Sequence, residues 1–108
     1  MDKETALGCA RRFANEVAKE IRPEQIVLYG SYANGKARTD SDIDIAVIFN
    51  GFNGDYLGVS SWLWSLTWKI SSYIEPILLD VQNDRSGFAA EVLRTGEPLL
   101  SMEIKRSE

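Results

Sequence analysis

The sequence predicts an α/β (α+β) fold in which helices flank a small mixed β-sheet. Two short apolar runs, rich in β-branched and aromatic residues and bounded by turn formers, are typical of buried strands. Apolar residues at three- and four-residue spacing elsewhere in the chain indicate amphipathic helices. The predicted elements follow the order αβαβαβα. The 108 residues are expected to form one domain, residues 1–108, with a frayed charged tail over residues 103–108.

The first half of the chain predicts two helices and two strands. A helix is predicted over residues 3–21, and Arg22-Pro23 should end it because a residue before proline avoids the helical region. The first strand is predicted over Gln25–Tyr29. Ser31 is a suitable N-cap for a short helix over residues 32–36. Asp42-Ile43-Asp44 then opens the second strand, which continues over residues 45–49.

The third helix, predicted over residues 56–73, carries apolar side chains on two nearly opposite sides. One side comprises Val59, Trp62, Leu63, Leu66, Ile70 and Tyr73. The other side comprises Leu57, Trp64 and Trp68. Two interpretations are open: the helix is buried on both sides, or the tryptophans form an exposed patch that contacts a partner or a second copy of the chain.

The last part of the chain predicts one more strand and one more helix. The strand is predicted over residues 75–81, where Pro76 is tolerated only near the start or on an edge of the sheet. A turn over residues 83–87 leads to a helix over Phe88–Thr95. Gly96 is expected to close that helix at the C′ position, where a left-handed residue is common.

The composition excludes several kinds of chemistry. The chain has no histidine and one cysteine, Cys9, which excludes Ser-His-Asp triads, His- or Cys-based zinc sites and intramolecular disulfides. Carboxylates alone suit a hard cation such as Mg²⁺. The net charge of −4 argues against a general nucleic-acid-binding surface. No apolar stretch approaches a membrane span and the N-terminus lacks the apolar core of a signal peptide, so a cytoplasmic location is expected.

Residues 27–49 contain the clearest chemical signal. Asp42 and Asp44 should project from the same face of a strand, while Ile43 points into the core. Two neighbouring carboxylates repel each other, so a fold keeps them together mainly when a cation lies between them. Gly30-Ser31 lies where a strand passes into a helix. Glycine lets a phosphate approach the backbone there, and the serine hydroxyl and the N–H groups of the helix start can donate to it.

Gly30-Ser31, ten further residues and Asp42-x-Asp44 together resemble the signature of the DNA polymerase β-type nucleotidyltransferases, and in particular their minimal (MNT) branch. The resemblance implies that Asp42, Asp44 and a third acidic residue on the neighbouring strand hold Mg²⁺, or alternatively Mn²⁺, against the triphosphate of ATP or another NTP. It also implies that a hydroxyl attacks the α-phosphate in line and releases pyrophosphate. The apolar ending at residues 96–100 would pack back on the sheet.

Two parts of this motif leave a choice of residues. Glu75 and Asp80 are both candidates for the third carboxylate, and their spacing lets only one of them serve. The family places this acid at the start of its strand, which favours Glu75. Asn34 stands where many relatives have an arginine, so Lys36 or Arg38 would substitute as a phosphate contact, or both are ordinary loop charges.

The resemblance also implies a partner. MNT domains are commonly paired with small helical HEPN-type proteins, many of them RNase toxins, which the MNT protein neutralises by adding AMP to a tyrosine. The first hypothesis is therefore a nucleotidyltransferase that acts as an MNT-type antitoxin, with self-association as an alternative to a HEPN-type partner. The second hypothesis is an interaction module that binds and masks its partner without catalysis. The intact Gly-Ser and Asp-x-Asp elements favour the enzyme.

Overall fold

Four strands form one mixed sheet in the computed structural model, which describes residues 2–101. The elements in chain order are α1 (Lys3–Glu20), β1 (Gln25–Tyr29), α2 (Ser31–Asn34), β2 (Ile43–Phe49), α3 (Tyr56–Thr67), β3 (Ile74–Asp80), a 3-10 turn (Val81–Asn83), α4 (Phe88–Thr95) and β4 (Glu97–Ser101). The spatial strand order is β3-β2-β1-β4, with β2 parallel to β3 and antiparallel to β1, and β1 antiparallel to β4. The predicted α/β class is confirmed. The tail predicted to fray lies outside the described residues.

The two faces of the sheet are covered unequally. On one face, alternate residues of β1, β2 and β3 pack against α1 and α3 and form the larger core, which includes Phe13, Ile26, Leu28, Ile43, Ile45, Val47, Leu63 and Ile74. On the other face, Val27, Ala46 and Ile48 pack against Val92 of α4. Because α4 has only eight residues, it covers only part of its face. No helix within residues 2–101 is both long enough and apolar enough to cross a membrane.

Strand β3 shows how a proline fits in the sheet. Pro76 lies opposite Ile45 in the parallel ladder between β2 and β3. β3 is at the edge of the sheet, where a residue without an N–H group costs the fewest ladder hydrogen bonds. The expectation that Pro76 lies near the start of its strand or on an edge of the sheet is therefore confirmed.

Helix α3 is shorter than predicted and exposes one side. It ends at Thr67 rather than at residue 73, because the following turn tightens: the Lys69 N–H donates to the Leu66 carbonyl at 3.2 Å. Leu63 and Leu66 are buried, and Val59, Trp62 and Ile70 pack against the same core. In contrast, Leu57, Trp64 and Trp68 are 76 %, 47 % and 88 % exposed. The interpretation that α3 is buried on both sides is therefore wrong.

The C-terminal segment confirms the last helix and corrects the role of Gly96. Gly96 has an extended backbone (φ −81°, ψ 172°) rather than a left-handed one. A Cβ at this position would collide with the Val27 side chain and lie 2.8 Å from the Leu28 carbonyl oxygen. Glycine is needed here for space, because the chain crosses closely over β1 before β4 pairs with it. The ending thus packs on the sheet as a fourth strand, beyond the predicted order of elements.

Candidate active site

Three polar side chains lie in a row across one end of the sheet. Asp44 on β2 is directly opposite Tyr29 on β1 and Glu75 on β3. Residues directly opposite each other project from the same face, and here it is the face that α4 covers only in part. Asp42 precedes Asp44 by two residues and contacts Glu75 by a hydrogen bond. The structure therefore brings the predicted residues Asp42, Asp44 and Glu75 together.

Gly30 lies against this cluster. Its backbone has a positive φ of 75° with ψ of −149°, which side-chain-bearing residues rarely adopt. A Cβ at Gly30 would collide with the carboxylate oxygen of Asp44 and lie 3.2 Å from its Cγ. The Gly-Ser turn thus brings bare backbone directly beside Asp44, and Gly30 as a phosphate-binding residue stays a prediction.

Ser31 has a different local role from the one predicted. Gly30 is the N-cap of α2 and Ser31 is its first helical residue, so the predicted Ser31 cap is wrong. The Gly30 carbonyl accepts hydrogen bonds from the N–H groups of Ala33 and Asn34, both at 3.1 Å. The N–H groups at the start of a helix have no intrahelical partner. The backbone of Ser31 therefore lies at the turn beside Asp44, and Ser31 as a phosphate contact stays a prediction.

The electrostatics of the cluster reflect crowded negative charge. The hydrogen bond with Asp42 raises the pKa of Glu75, and burial and the charges of Asp42 and Asp44 raise it further. Burial, and secondarily the charge of Asp42, raises the pKa of Asp44. Burial and then the charges of Asp44 and Glu75 raise the pKa of Tyr29 to about 12. The cluster thus carries more negative charge than its own residues neutralise.

This donor set fits a hard divalent cation. Carboxylate oxygens are the ligands that Mg²⁺ and Mn²⁺ prefer, and a cation would offset both the burial of these carboxylates and their mutual repulsion. Within residues 2–101, no three acidic or cysteine side chains are spaced as a complete metal site. The side chains of Asp42 and Glu75 lie close enough to interact, and a cation between them would neutralise their charges. The residues that would hold it are Asp42, Asp44 and Glu75.

Asp80 lies at the other end of β3 and has another function. It is opposite Phe49, five residues along the ladder from the Asp44–Glu75 pair, which is roughly 16 Å. Its carboxylate accepts hydrogen bonds from the N–H groups of Gly51 at 2.8 Å, Phe52 at 2.8 Å and Gln82 at 3.0 Å. Asp80 therefore fastens the loop after β2 to the end of β3 and is not part of the cluster.

Lys36 and Arg38 are exposed residues of the loop after α2. The Lys36 N–H donates to the Asn34 side-chain oxygen at 3.0 Å, and the Arg38 N–H donates to the Ser41 hydroxyl at 2.7 Å. Arg38 also lines a cavity of about 240 Å³ together with Lys3. These hydrogen bonds involve the backbone N–H groups of Lys36 and Arg38. The roles of the two side chains as phosphate contacts stay predictions.

Tyr29 is a residue of this site that the sequence analysis did not identify. Its ring contacts Phe88 edge to face, with centroids 5.7 Å apart. The raised pKa keeps the phenol protonated, so it is a hydrogen-bond donor beside two carboxylates. Tyr29 could have been identified from its position immediately before Gly30. In an antiparallel pair, the last residue of one strand lies opposite the first residues of the next strand, which here include Asp44.

The chain is similar to several solved structures. A candidate nucleotidyltransferase from Sulfolobus solfataricus has a TM-score of 0.70 at 24 % identity, over 94 % of this chain and 85 % of that one. A toxin–antitoxin complex with AMP-PNP has a TM-score of 0.58 at 22 % identity, and a mutant of the toxin–antitoxin pair MntA–HpeT has 0.57 at 20 %. Each of these two alignments covers 84 % of this chain and 73 % of the other.

Sequence comparison assigns the family. No curated protein matches the sequence. The family model described as "Polymerase beta, Nucleotidyltransferase" matches residues 13–105, which include the Gly30-Ser31 turn, the Asp42-x-Asp44 pair and all four strands. With the same fold in the solved structures and with these residues gathered on one face, the chain belongs to the polymerase beta nucleotidyltransferase family.

Proposed function

We propose that this protein is a metal-dependent nucleotidyltransferase that moves NMP, specifically AMP, from a nucleoside triphosphate to a hydroxyl of a partner protein. The observation that carries the proposal is the convergence of Gly30, Asp42, Asp44 and Glu75 on the open part of one sheet face. Carboxylates that can hold a cation next to the backbone of a helix start are what phosphoryl chemistry needs.

Each residue has a defined part in the proposed reaction. Asp42, Asp44 and Glu75 would hold Mg²⁺, or Mn²⁺, which supplies neutralisation of the phosphate charge. Gly30 admits the phosphates and Ser31 donates to them. The acceptor oxygen forms a bond to the α-phosphorus, the bond to the bridging oxygen breaks, and pyrophosphate leaves. A carboxylate of the cluster receives the acceptor proton.

Support for the partner comes from the relatives. Two structures of the same fold are toxin–antitoxin complexes, and one of them contains AMP-PNP. We infer that the acceptor of this chain is a toxin, of the small helical HEPN type, and that a tyrosine hydroxyl receives the AMP. The net charge of −4 is consistent with a protein acceptor rather than a nucleic acid.

The test is transfer of label from ATP to protein. The chain is incubated with Mg²⁺ and the small helical protein encoded beside it, using ATP labelled at the α- or at the γ-phosphate. Nucleotidyl transfer moves the α-label and not the γ-label, whereas phosphoryl transfer does the opposite. Unlabelled ATP, GTP, CTP and UTP compete in parallel to identify the base. Absence of α-label on any protein would contradict the proposal.

Variants assign the carboxylates. Asp42→Asn and Glu75→Gln should each lower transfer by about 10³-fold or more, the range typical for loss of a group that acts on the transition state. Asp40→Asn is the matched control, because Asp40 is an exposed carboxylate two residues before the pair. Asp80→Asn, assayed well below its melting temperature, should keep most of the transfer. Loss of transfer in Asp80→Asn with retention in Glu75→Gln would move the third carboxylate to Asp80.

A second candidate function is supported by Asn34. This residue stands where many relatives have an arginine, and its side chain is bound to the Lys36 N–H within the turn. A chain without that phosphate contact could mask its partner without modifying it. The Asp42→Asn variant separates the two functions: a masking module would still inhibit the partner at equimolar concentration, whereas an enzyme-type antitoxin would not.

A further inference from the structure

One side of α3 carries an exposed stripe without charge. Leu57, Ser61, Trp64 and Trp68 recur at spacings of four, three and four residues, which places them along one side of the helix. Leu57, Trp64 and Trp68 are 76 %, 47 % and 88 % exposed. Trp68 follows the last helical residue and keeps helical backbone angles (φ −59°, ψ −27°), so it continues the line. We call these four residues the α3 stripe.

The C-terminal half of the stripe contains a hole. Trp64, Thr67, Trp68 and Ser72 line a cavity of about 200 Å³. The first three are at positions i, i+3 and i+4, the arrangement that receives one side chain of a facing helix in knobs-into-holes packing. The Thr67 hydroxyl is bound to the Trp64 carbonyl at 2.7 Å, so the floor of the hole presents mainly apolar surface. The hole fits one aliphatic side chain.

The N-terminal half of the stripe offers such a side chain. Leu57 is the one aliphatic residue among the large exposed hydrophobic side chains of residues 2–101. Between Leu57 and the hole lies Ser61, a small residue that permits two helices to approach closely. We propose that two copies of this chain associate through antiparallel α3 helices, with the twofold axis beside Ser61. Leu57 of each copy then fills the hole between Trp64 and Trp68 of the other.

The two ends of α3 carry opposite charges. Asp55 and Lys69 are the charged residues that flank the uncharged segment 56–68. About a twofold axis beside Ser61, the Asp55 end of one helix lies next to the Lys69 end of its partner. The antiparallel arrangement therefore pairs the two helix dipoles favourably. Parallel pairing would bring Asp55 beside Asp55 and Lys69 beside Lys69.

The area is sufficient for a dimer of moderate affinity. Leu57, Trp64 and Trp68 together expose on the order of 500 Å² per copy, given that one large aromatic side chain can bury about 150–250 Å². A symmetric contact therefore buries about 1,000 Å² from these residues alone, and neighbouring serines bring it to the lower limit of specific interfaces, about 1,200 Å². The expected dissociation constant is in the micromolar range, roughly 1–100 μM.

The dimer leaves the carboxylate cluster open. α3 packs on the sheet face opposite to the one that carries Asp44 and Glu75. Each copy therefore keeps its own cluster exposed on the outside of the pair. The association does not depend on nucleotidyl transfer, so it can be present or absent whether or not the chain is an active enzyme.

Sedimentation measurements on the full chain test the association. Wild type should pass from monomer to dimer as its concentration rises through the micromolar range. Trp68→Glu should raise the dissociation constant about 30-fold or more, as loss of a central aromatic anchor does. Ala90→Glu is the control: it adds the same charge at an exposed position of α4 and should not change association. The circular dichroism of both variants should match wild type, because Trp68 is 88 % exposed.

The salt dependence of association tests whether a second copy of the chain covers the α3 stripe. A disulfide cross-link tests how the two α3 helices are aligned. Two chains of net charge −4 repel each other, so added salt should strengthen self-association, whereas binding to a basic partner would weaken. In a Cys9→Ser background, Ser61→Cys should form a disulfide-linked dimer on oxidation. Ser72→Cys should not, because the two Ser72 residues lie at opposite ends of the paired helices.

Three results would overturn the proposal. The first is that the wild-type protein stays monomeric at several hundred micromolar, which would mean that a different protein binds the α3 stripe. The second is Trp68→Glu that dimerises as wild type does, which would place the interface elsewhere. The third is a dimer in which Ser72→Cys cross-links and Ser61→Cys does not. If Trp68→Glu fails to fold, Leu57→Glu supplies the same test, because Leu57 is 76 % exposed.

Discussion

At the scale of single residues, Asp44 and Asp80 are two aspartates whose environments act in opposite directions. Burial and the neighbouring charge of Asp42 raise the pKa of Asp44, so its ionised form is disfavoured in the folded state. Hydrogen bonds from the N–H groups of Gly51, Gln82 and Phe52 lower the pKa of Asp80, so its ionised form is favoured. Protonation should therefore stabilise the fold at one site and destabilise it at the other.

The Asp44→Asn variant should be more stable than wild type at pH 7 in the absence of metal and nucleotide. The folded pKa of Asp44 is above its ordinary value of 3.8. The destabilising charge is therefore absent below about pH 3.8, appears as the pH rises towards the folded pKa and is complete above it. The gain should stay below about 1 kcal/mol, since solvent screens a half-exposed charge. Urea unfolding at several pH values measures it, and a gain that persists below pH 3.8 would contradict the explanation.

The Asp80→Asn variant should show the opposite pH dependence. The folded pKa of Asp80 is below 3.8, so its stabilisation is fully present above that pH and is lost as the pH falls through the folded pKa. Asp80→Asn should therefore lower the unfolding midpoint at pH 7, and the difference from wild type should shrink under acid. Equal midpoints at pH 7 would mean that the Gly51 and Phe52 N–H groups are not held by this carboxylate. Asp40→Asn is the control for the charge change alone.

At the scale of elements, Gly96 and Gly8 differ in whether the fold leaves space for a side chain at their position. Gly96 joins α4 to β4, where an added Cβ would meet the Val27 side chain and two backbone carbonyl oxygens. Backbone atoms cannot move away cheaply. Gly8 lies within α1 on an exposed position, and an added Cβ there has no heavy atom within 4 Å.

The Gly96→Ala and Gly8→Ala variants should therefore change stability in opposite directions. Gly96→Ala should lower the free energy of unfolding by about 1–3 kcal/mol, the usual cost of overpacking. Gly8→Ala should raise it by about 0.5–1 kcal/mol, because alanine favours the helix. Chemical unfolding of both variants measures the difference. A stable Gly96→Ala protein would show that β4 can shift on β1.

At the scale of the whole molecule, the sheet separates two surfaces. The face with α4 carries Asp42, Asp44, Glu75 and the Gly30 turn, and the other face carries α1 and α3 with the exposed tryptophans on the outside of α3. Nucleotide binding and association with another chain would therefore use different sides of the same small domain. The two can be measured independently.

Mg²⁺ with ATP should stabilise the whole domain. A ligand that binds only the folded state at about 100 times its dissociation constant adds about 2.7 kcal/mol, which for a domain of this size raises Tm by about 10 °C. Mg²⁺ or ATP alone should give a smaller shift, since the cation and the phosphates neutralise each other in the cluster. Asp42→Asn should abolish the shift while Asp40→Asn keeps it. An unchanged Tm of wild type would contradict nucleotide binding at this site.

Much of the fold followed from local patterns in the sequence. The limits of β1 and α4 and the buried side of α1 could be predicted because they depend on residues close together in the chain. The end of α3 could not, because Thr67 is followed by a tightened turn that the connection to β3 imposes. The strand at Glu97–Ser101 was also not predicted as a strand, since it exists only by pairing with β1.

The candidate site divides in the same way. The sequence by itself determined the Gly30-Ser31 turn and the Asp42-x-Asp44 pair, because strand alternation and spacing place these residues without reference to the rest of the chain. Only the tertiary structure decided that Glu75 and not Asp80 lies beside them, that Tyr29 joins them, and that Trp64 and Trp68 face outward. The physical reason is that strand register and helix covering are set by packing between segments far apart in sequence, which local periodicity does not contain.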